Sequence, residues 1–378
     1  MNPLSEIIRR EVAQSGILPF ARFMELALYC PVHGYYEIKK DNPGRHGDFY
    51  TSVGVGELFG QLLAFQFDEW LETLNPQPST LNLVEAGAHD GQLAGDILTW
   101  LQLNRPELFD RVEYRVIEPS PRRQEWQKKT LEQYSSHVRW FTNFHSIAAN
   151  NSQSSTPTNR EHATKVGVHN PQLNGVVFSN ELLDAMPVHR FGWDAQNKKW
   201  FEWGVAVDGE KFAWAKIQPS AFSLQPSALE SVLPDGYTIE TCPAAEDWWR
   251  EAANVLGHGK LLTIDYGFTA DELFSPGRTR GTLRAYFRHH AGDDLLANVG
   301  EQDLTAHVNF SAIQAAGESA GLRTEMFSTQ SQFLTRILEK ASKDNSLGGW
   351  TSAQARQFQT LTHPEHLGRA FRVLVQSR

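Results

Sequence analysis

The stretch Leu81-Asn82-Leu83-Val84-Glu85-Ala86-Gly87-Ala88-His89-Asp90-Gly91 decides the fold. Leu81 to Glu85 is a short apolar run after a Pro/Ser/Thr turn, which reads as a strand. Past the glycine turn, Leu93, Ala94, Ile97, Leu98 and Leu101 recur at helical spacing. A strand that enters a helix through glycines lets backbone N–H groups approach a ligand at the carboxyl edge of a sheet. The dinucleotide frame GxGxxG is absent, because Gly87 and Gly91 lack the third glycine. That makes a dehydrogenase the weakest enzyme reading.

Outward from this turn, strand and helix signals alternate. Tyr114 to Glu118 is the second strand, and Pro119-Ser120-Pro121 starts a polar helix running to about Tyr134. Val138 to Phe141, Gly175 to Ser179 and Lys260 to Asp265 read as further strands, with Arg369 to Val375 as a closing one. This order predicts an α/β fold with a parallel, doubly wound sheet over 79–378. Residues 1–78 read as an N-terminal helical region: Leu4, Ile7, Ile8 and Val12 share one face, and Arg22 to Tyr29 and Leu58 to Leu74 are helical. The tract 150–174, with its run Asn150 to Asn159 (NNSQSSTPTN), carries no core-forming signal and reads as a flexible surface insertion. Aromatic, alternating segments such as Trp200-Phe201-Glu202-Trp203 make 188–240 a β-rich insertion.

Composition narrows the function. The 40% hydrophobic content, raised further by 28 glycines, is that of a globular chain of 378 residues. Net charge is −9, from 35 Lys and Arg against 44 Asp and Glu. This argues against a phosphate-binding surface and a nucleic-acid partner, and leaves room for a cationic substrate. Cys30 and Cys242 form no CxxC and no zinc spacing, so no metal site is expected, and free thiols fit a reducing compartment. No apolar stretch approaches the ~18–20 residues that span a bilayer, and Glu6 and Glu11 interrupt any signal or transit character. A cytoplasmic protein without membrane insertion is the expectation. GxSxG, HExxH and GxxxxGK[ST] are absent, which removes the main signals of serine hydrolases, zincins and P-loop enzymes.

Glu118 ends the second strand, where a carboxylate can accept from both ribose hydroxyls of an adenosine. An acid in the glycine turn region together with an acid ending the second strand is the pattern of S-adenosylmethionine (SAM) enzymes. After the fourth strand, Asn180, Glu181 and Asp184 place a carboxamide and two carboxylates within one turn. A helix over Glu181 to Asp184 would put both acids on one face; the plainer reading is a pair of helix-capping acids. A guanidinium stays protonated at pH 7, so its methylation calls for carboxylates that orient it. Gly34-Tyr35-Tyr36 and Gly47-Asp48-Phe49-Tyr50-Thr51-Ser52 are expected to fold over the cofactor, with Asp48 counted among its contacts. Gly281 to Tyr286 with His289, and Asp303 to Phe310, complete the candidate loops. His307 is a weaker candidate for accepting the released proton. Taken singly, each loop also reads as structural.

The blocks ALYCPVHGYY, GDFYTS, LVEAGAHDGQLAGDIL, SNELLDAMPVHRF, GKLLTIDYG, GTLRAYFRHH and DLTAHVNF follow one another from about Ile7 to Leu334. In this order they resemble the MidA-type methyltransferases, the group containing the mitochondrial complex I assembly-factor arginine methyltransferase. The resemblance implies a class I SAM-dependent methyltransferase fold (a Rossmann-like doubly wound sheet) with an N-terminal helical addition and a β-rich insertion. It implies SAM as cofactor, held by Glu85, Gly87, Gly91 and Glu118. On the substrate side it implies Asn180, Glu181 and Asp184, acting on a protein arginine. A respiratory-complex subunit is one candidate substrate, and a homodimer is compatible with the family. Two departures stand out: His89, where many relatives carry glycine, and Pro119 directly after Glu118. Two other readings are a SAM enzyme acting on a small molecule and a non-catalytic SAM-binding assembly protein. The paired acids argue against the second. Trp193, Trp200 and Trp203 exceed what a small substrate needs, unless core packing takes them.

Overall fold

The alternation around Gly87 is realised in the computed structural model, which describes residues 2–38, 51–74, 78, 80–148, 173–219, 233–287, 290–343 and 348–378. Asp48, His289 and residues 150–172 of the insertion tract lie outside the described residues. The chain forms two compact units. The sheet unit comprises Thr51–Leu182, Asp247–Asp265 and Gln314–Arg378. The second unit comprises Met1–Tyr50, Leu183–Glu246 and Tyr266–Ile313.

The sheet unit is built on β1 (Leu81–Ala86), β2 (Val112–Ile117), β3 (Val138–Phe141), β4 (Leu173–Asn180), β5 (Leu256–Phe268, of which the last three residues fall in the second unit), β6 (Arg323–Thr329) and β7 (Phe371–Ser377). Their order is β3-β2-β1-β4-β5-β7-β6. β1 to β5 pair in parallel, and β6 and β7 are antiparallel. All six residues of β1 are buried, as a strand covered on both faces requires. The chain reverses direction across the sheet between β1 and β4, and ligand crevices of doubly wound sheets lie at this switch point. Register levels the relevant strand ends: Ala86 pairs with Ile117 on one side and Ser179 on the other, and Asn180 pairs with Ile264.

Helices α1 (Leu58–Glu72), α2 (Gln92–Asn104), α3 (Pro121–Thr130), α4 (Gln330–Lys343) and α5 (Ser352–Thr362) belong to this unit. α1 packs against α2, α4 and α5. The amphipathic face of α4 buries Phe333, Leu334, Ile337 and Ala341.

In the second unit the helices Pro3–Ser15 and Phe20–Tyr29 bury Leu4, Ile8, Val12, Phe23, Met24 and Leu28 in one core with Val205, Leu283 and Leu304. Antiparallel strands His189–Asp194, Lys199–Asp208, Lys211–Ile217 and Thr238–Thr241 form its main sheet, with Leu18–Pro19 on the edge. The Trp193 and Trp200 rings pack tilted with centroids 5.3 Å apart, Trp200 meets Tyr237 edge-on, and Trp203 meets Trp214 in the same way. Core packing thus takes the aromatic residues of the insertion. Among the described residues no helix is long and apolar enough to cross a membrane.

Candidate active site

The turn after β1 needs backbone that few side chains tolerate. Gly87 has φ +76° and Gly91 φ +89°, and a Cβ on Gly87 would come within 2.9 Å of Leu182. His89 also lies in the left-handed region, at φ +45°. Histidine is among the residues enriched there, which explains how it can stand in this turn. Gly91 caps the N-terminus of α2, whose first N–H groups lack partners within the helix. Beneath the turn, Glu85 is buried and accepts from the Tyr114 hydroxyl at 2.6 Å; burial pushes it up to about 7.

Glu118 follows β2 and is 1% exposed. Its Oε1 accepts from the Ser120 N–H and pairs with Arg123, both at 2.9 Å, and its Oε2 accepts from the Gln127 amide at 3.2 Å. Pro119 fits this arrangement, because the chain turns here so that Ser120 can cap α3. Gln127 is fully buried and joins the two halves of the site. Its amide also donates to the His89 carbonyl at 3.0 Å, and its oxygen accepts from the Trp140 indole N–H at 3.0 Å. Gln127→Leu keeps the volume and removes all three bonds. We expect a loss of about 2–4 kcal/mol, because buried partners left unpaired cost ~1–3 kcal/mol each. A urea titration would show a lowered midpoint at unchanged slope.

At the end of β4, no helix forms over Glu181 to Asp184; residues 181–186 are turn and bend. The condition for both acids to share one helical face is therefore not met. Glu181 takes φ +51°, its N–H donates to the Ile264 carbonyl, and the Leu182 N–H donates to the buried Asp265 carboxylate at 3.1 Å. A non-glycine residue held in this region stores strain of the order of 1–3 kcal/mol, a feature concentrated at functional sites. The Glu181 Oε1 accepts from the Ser52 N–H at 3.0 Å and the Asn180 amide at 3.1 Å. It is no helix cap. The residue as a whole is half-buried, and at its carboxyl group burial, reinforced by Asp265, pushes the pKa up to about 8 against the two hydrogen bonds. Ser52 is anchored in turn: its hydroxyl donates to Gln330 of α4, whose amide donates to the Leu361 carbonyl of α5.

Asp184 and His307 belong to the second unit. That unit brings them close in backbone terms, since the Ala306 N–H donates to the Asp184 carbonyl at 2.8 Å. The His307 ring stacks on Phe268 with centroids 4.7 Å apart, and the His307 backbone N–H donates to the Thr282 hydroxyl. Burial, with Arg278 and Arg284 adding, lowers it to about 4, so the ring is neutral at pH 7. It lines a cavity of about 300 Å³ with Leu183, Glu240, Cys242, Glu246 and Asn309. Glu240 is buried, accepts from the Thr282 N–H at 2.8 Å and faces Arg190 at 3.4 Å. Gly281, at φ +72°, leaves the space that this carboxylate occupies. Tyr36 is tied down by its hydroxyl, which donates to Asp303 at 2.9 Å, and it stacks on Tyr29 in the core of this unit.

Ser52, Asp265, Arg123, Gln127 and Glu240 were not singled out in the sequence as site residues. Asp265 carried a readable signal, an acid closing a continuous apolar strand at the level of Asn180. Gln127 and Arg123 carried none, lying in a helix whose polar composition reads as solvated.

Residues 62–328 match the family described as "Putative S-adenosyl-L-methionine-dependent methyltransferase". The human mitochondrial protein arginine methyltransferase NDUFAF7 is 29% identical over 85% of this chain and 71% of its own length; the Drosophila melanogaster homolog is 28% identical over 84% and 70%. A crystal structure of a Burkholderia thailandensis protein bound to S-adenosyl-homocysteine is 31% identical, with TM-score 0.79 over 99% of this chain and 92% of that one. The doubly wound sheet is thus of the class I methyltransferase kind and the cofactor is SAM. With residues 62–328, most of its length, matched, the chain belongs to this family of SAM-dependent methyltransferases.

Proposed function

We propose that this methyltransferase modifies an arginine side chain of a protein, and that Glu181 is the group that orients the guanidinium. The observation that carries the reading is Glu181 itself: an acid in a strained backbone conformation at the switch-point edge of the sheet, aimed by Ser52 and Asn180. The names of the relatives support a protein arginine as substrate.

The residues present suit the cofactor. Gly87 and Gly91 provide backbone without Cβ atoms, and Glu118 provides a buried carboxylate to accept ribose hydroxyls. Glu85 lies beneath the turn and sets its floor. SAM, when bound, supplies an electrophilic methyl group on a sulfonium. The chain's own work is positional. Ionised Glu181 holds the cationic guanidinium so that one nitrogen lone pair is available, and it stabilises charge as the new bond forms. The proton lost afterwards passes to a carboxylate poised near 8 more readily than to His307 at about 4. Asp184 is assigned to substrate binding as a second acid.

A pH dependence follows. In the free enzyme Glu181 is protonated below about 8, and only the anion attracts a guanidinium. Hence kcat/KM should rise about tenfold per pH unit below that value and level off above it. In Glu181→Gln this limb should vanish. A wild-type profile flat from pH 6 to 9 would remove the carboxylate from the reaction. The substrate class is tested by incubating the protein with methyl-labelled SAM and cell lysate and digesting whatever becomes labelled. Methylarginine is expected, and a labelled small molecule without it would replace the reading.

A further inference from the structure

We propose that the groove beside Arg278, Arg280 and Arg284 docks a carboxylate-rich segment of the protein substrate, outside the segment that carries the modified residue. The inference rests on the reading above that the substrate is a protein.

The groove lies within the second unit and encloses about 750 Å³, lined by these arginines together with Phe268, Asp271 and Glu272. On a chain with net charge −9, three arginines within seven residues form a local reversal of sign. Among the described residues none of the three has a carboxylate within ion-pair distance, whereas Arg22, Arg105, Arg115 and Arg123 each do. Among the described residues their side-chain hydrogen bonds go to carbonyls: Arg278 Nε to Glu272 at 3.4 Å and Arg284 Nη1 to Leu283 at 2.9 Å.

The loop that carries them is pinned. The Thr238 N–H donates to the Thr279 carbonyl at 2.9 Å, Arg190 donates to the Arg280 carbonyl at 3.2 Å, and the Glu240 carboxylate fills the space left by Gly281. The Arg278 guanidinium lies 4.3 Å from the centroid of the Phe268 ring. Guanidinium groups set on fixed backbone lose little freedom on binding and match carboxylates in a planar fork. Asp271 and Glu272 share the groove wall with the arginines. Two fixed acids there repel a compact, multiply charged phosphate more than single carboxylates carried along an extended peptide. The same loop holds the Thr282 hydroxyl that accepts from His307, so a segment docked here lies along the scaffold of a candidate catalytic residue.

The test uses the full chain and three probes: a fluorescent peptide of glutamates around one arginine, a Gly/Ser peptide of equal length around the same arginine, and inorganic tripolyphosphate as competitor. We expect the acidic peptide to bind at least tenfold more tightly than the neutral one at low salt, with the preference shrinking as salt rises. Arg280→Glu/Arg284→Glu should abolish the preference, and Arg280→Ala should reduce it, with SAM affinity unchanged in both as a check on folding. Equal affinity for the two peptides, or a preference that survives in the double variant, overturns the proposal. Displacement of the acidic peptide by tripolyphosphate at concentrations below those of free peptide also overturns it, in favour of a phosphate site. Because binding is read without turnover, an arginine-dependent preference in a protein that yields no methylarginine would sink the proposed substrate and leave the groove standing.

Discussion

Glu181→Gln is expected to slow methyl transfer ~10²–10³-fold, or ~2.7–4 kcal/mol of transition-state stabilisation, the usual loss for one positioned electrostatic group. The substitution is close to isosteric. A glutamine oxygen can still accept from the Ser52 N–H, and the backbone at φ +51° asks nothing different of an amide side chain than of an acid. What goes is the negative charge. Affinity for SAM should therefore stay near the wild-type value, because in the proposed role the carboxylate acts on the other reactant. Calorimetry with SAM and single-turnover methyl transfer on the same preparations separate the two quantities. If the variant transfers methyl at the wild-type rate, Glu181 is a structural acceptor for Ser52 and Asn180 and nothing more. If SAM affinity falls together with rate, the residue belongs to the cofactor side.

The parts of the fold legible in the sequence are those that a two-sided core dictates. β1, β2, β4 and β5 are apolar runs between turn residues, and they were placed within a few residues because burial on both faces leaves no polar alternation to confuse the reading. β6 escaped for the opposite reason. It is an edge strand, Arg323-Thr324-Glu325-Met326-Phe327-Ser328-Thr329, with a mostly exposed or half-buried pattern, and it has no run to see. The helix considered over Glu181 to Asp184 does not form, because propensity carries no term for a glutamate held at positive φ by the ends of β4 and β5. That Met1–Tyr50 groups with 183–246 and 266–313 depends on contacts hundreds of residues apart, such as Asn2 with Val299. At the candidate site, the positions of the glycine turn after β1 and of Glu118 after β2 were legible because chain order and strand ends suffice to find them. Gln127 was not, because one inward glutamine does not change the period of a polar helix. Ser52 was visible only as part of a block, since its role lies in a backbone N–H that any residue but proline supplies.

Removing the carboxylate in Glu118→Ala should cost SAM affinity on the order of ten- to a hundredfold, since a hydrogen bond to a charged group is worth roughly 1.5–3 kcal/mol. The variant also disturbs the apo protein. Arg123, whose side chain is 12% exposed, loses the acid it pairs with, and the Ser120 N–H and the Gln127 amide lose an acceptor. Breaking a buried pair from one side costs about 3–5 kcal/mol, so the alanine variant should also melt several degrees lower. A weaker affinity alone would thus be ambiguous between lost recognition and a slackened site. Glu118→Gln resolves the ambiguity. It keeps an oxygen for Ser120 and removes the charge, so stability should recover part of the way while the hydroxyl-accepting anion stays absent. The expected order of SAM affinity is wild type first, then glutamine, then alanine, with the glutamine variant already most of the way down. An affinity for Glu118→Gln equal to wild type would mean that the carboxylate serves Arg123 and α3 and that the ribose is held elsewhere. Arg123→Gln gives the complementary measurement. It takes the guanidinium away from the Glu118 oxygen, which keeps its bond from the Ser120 N–H, so if the ion pair competes with the ribose hydroxyls, SAM should bind this variant at least as tightly as the wild type even though the protein itself is less stable.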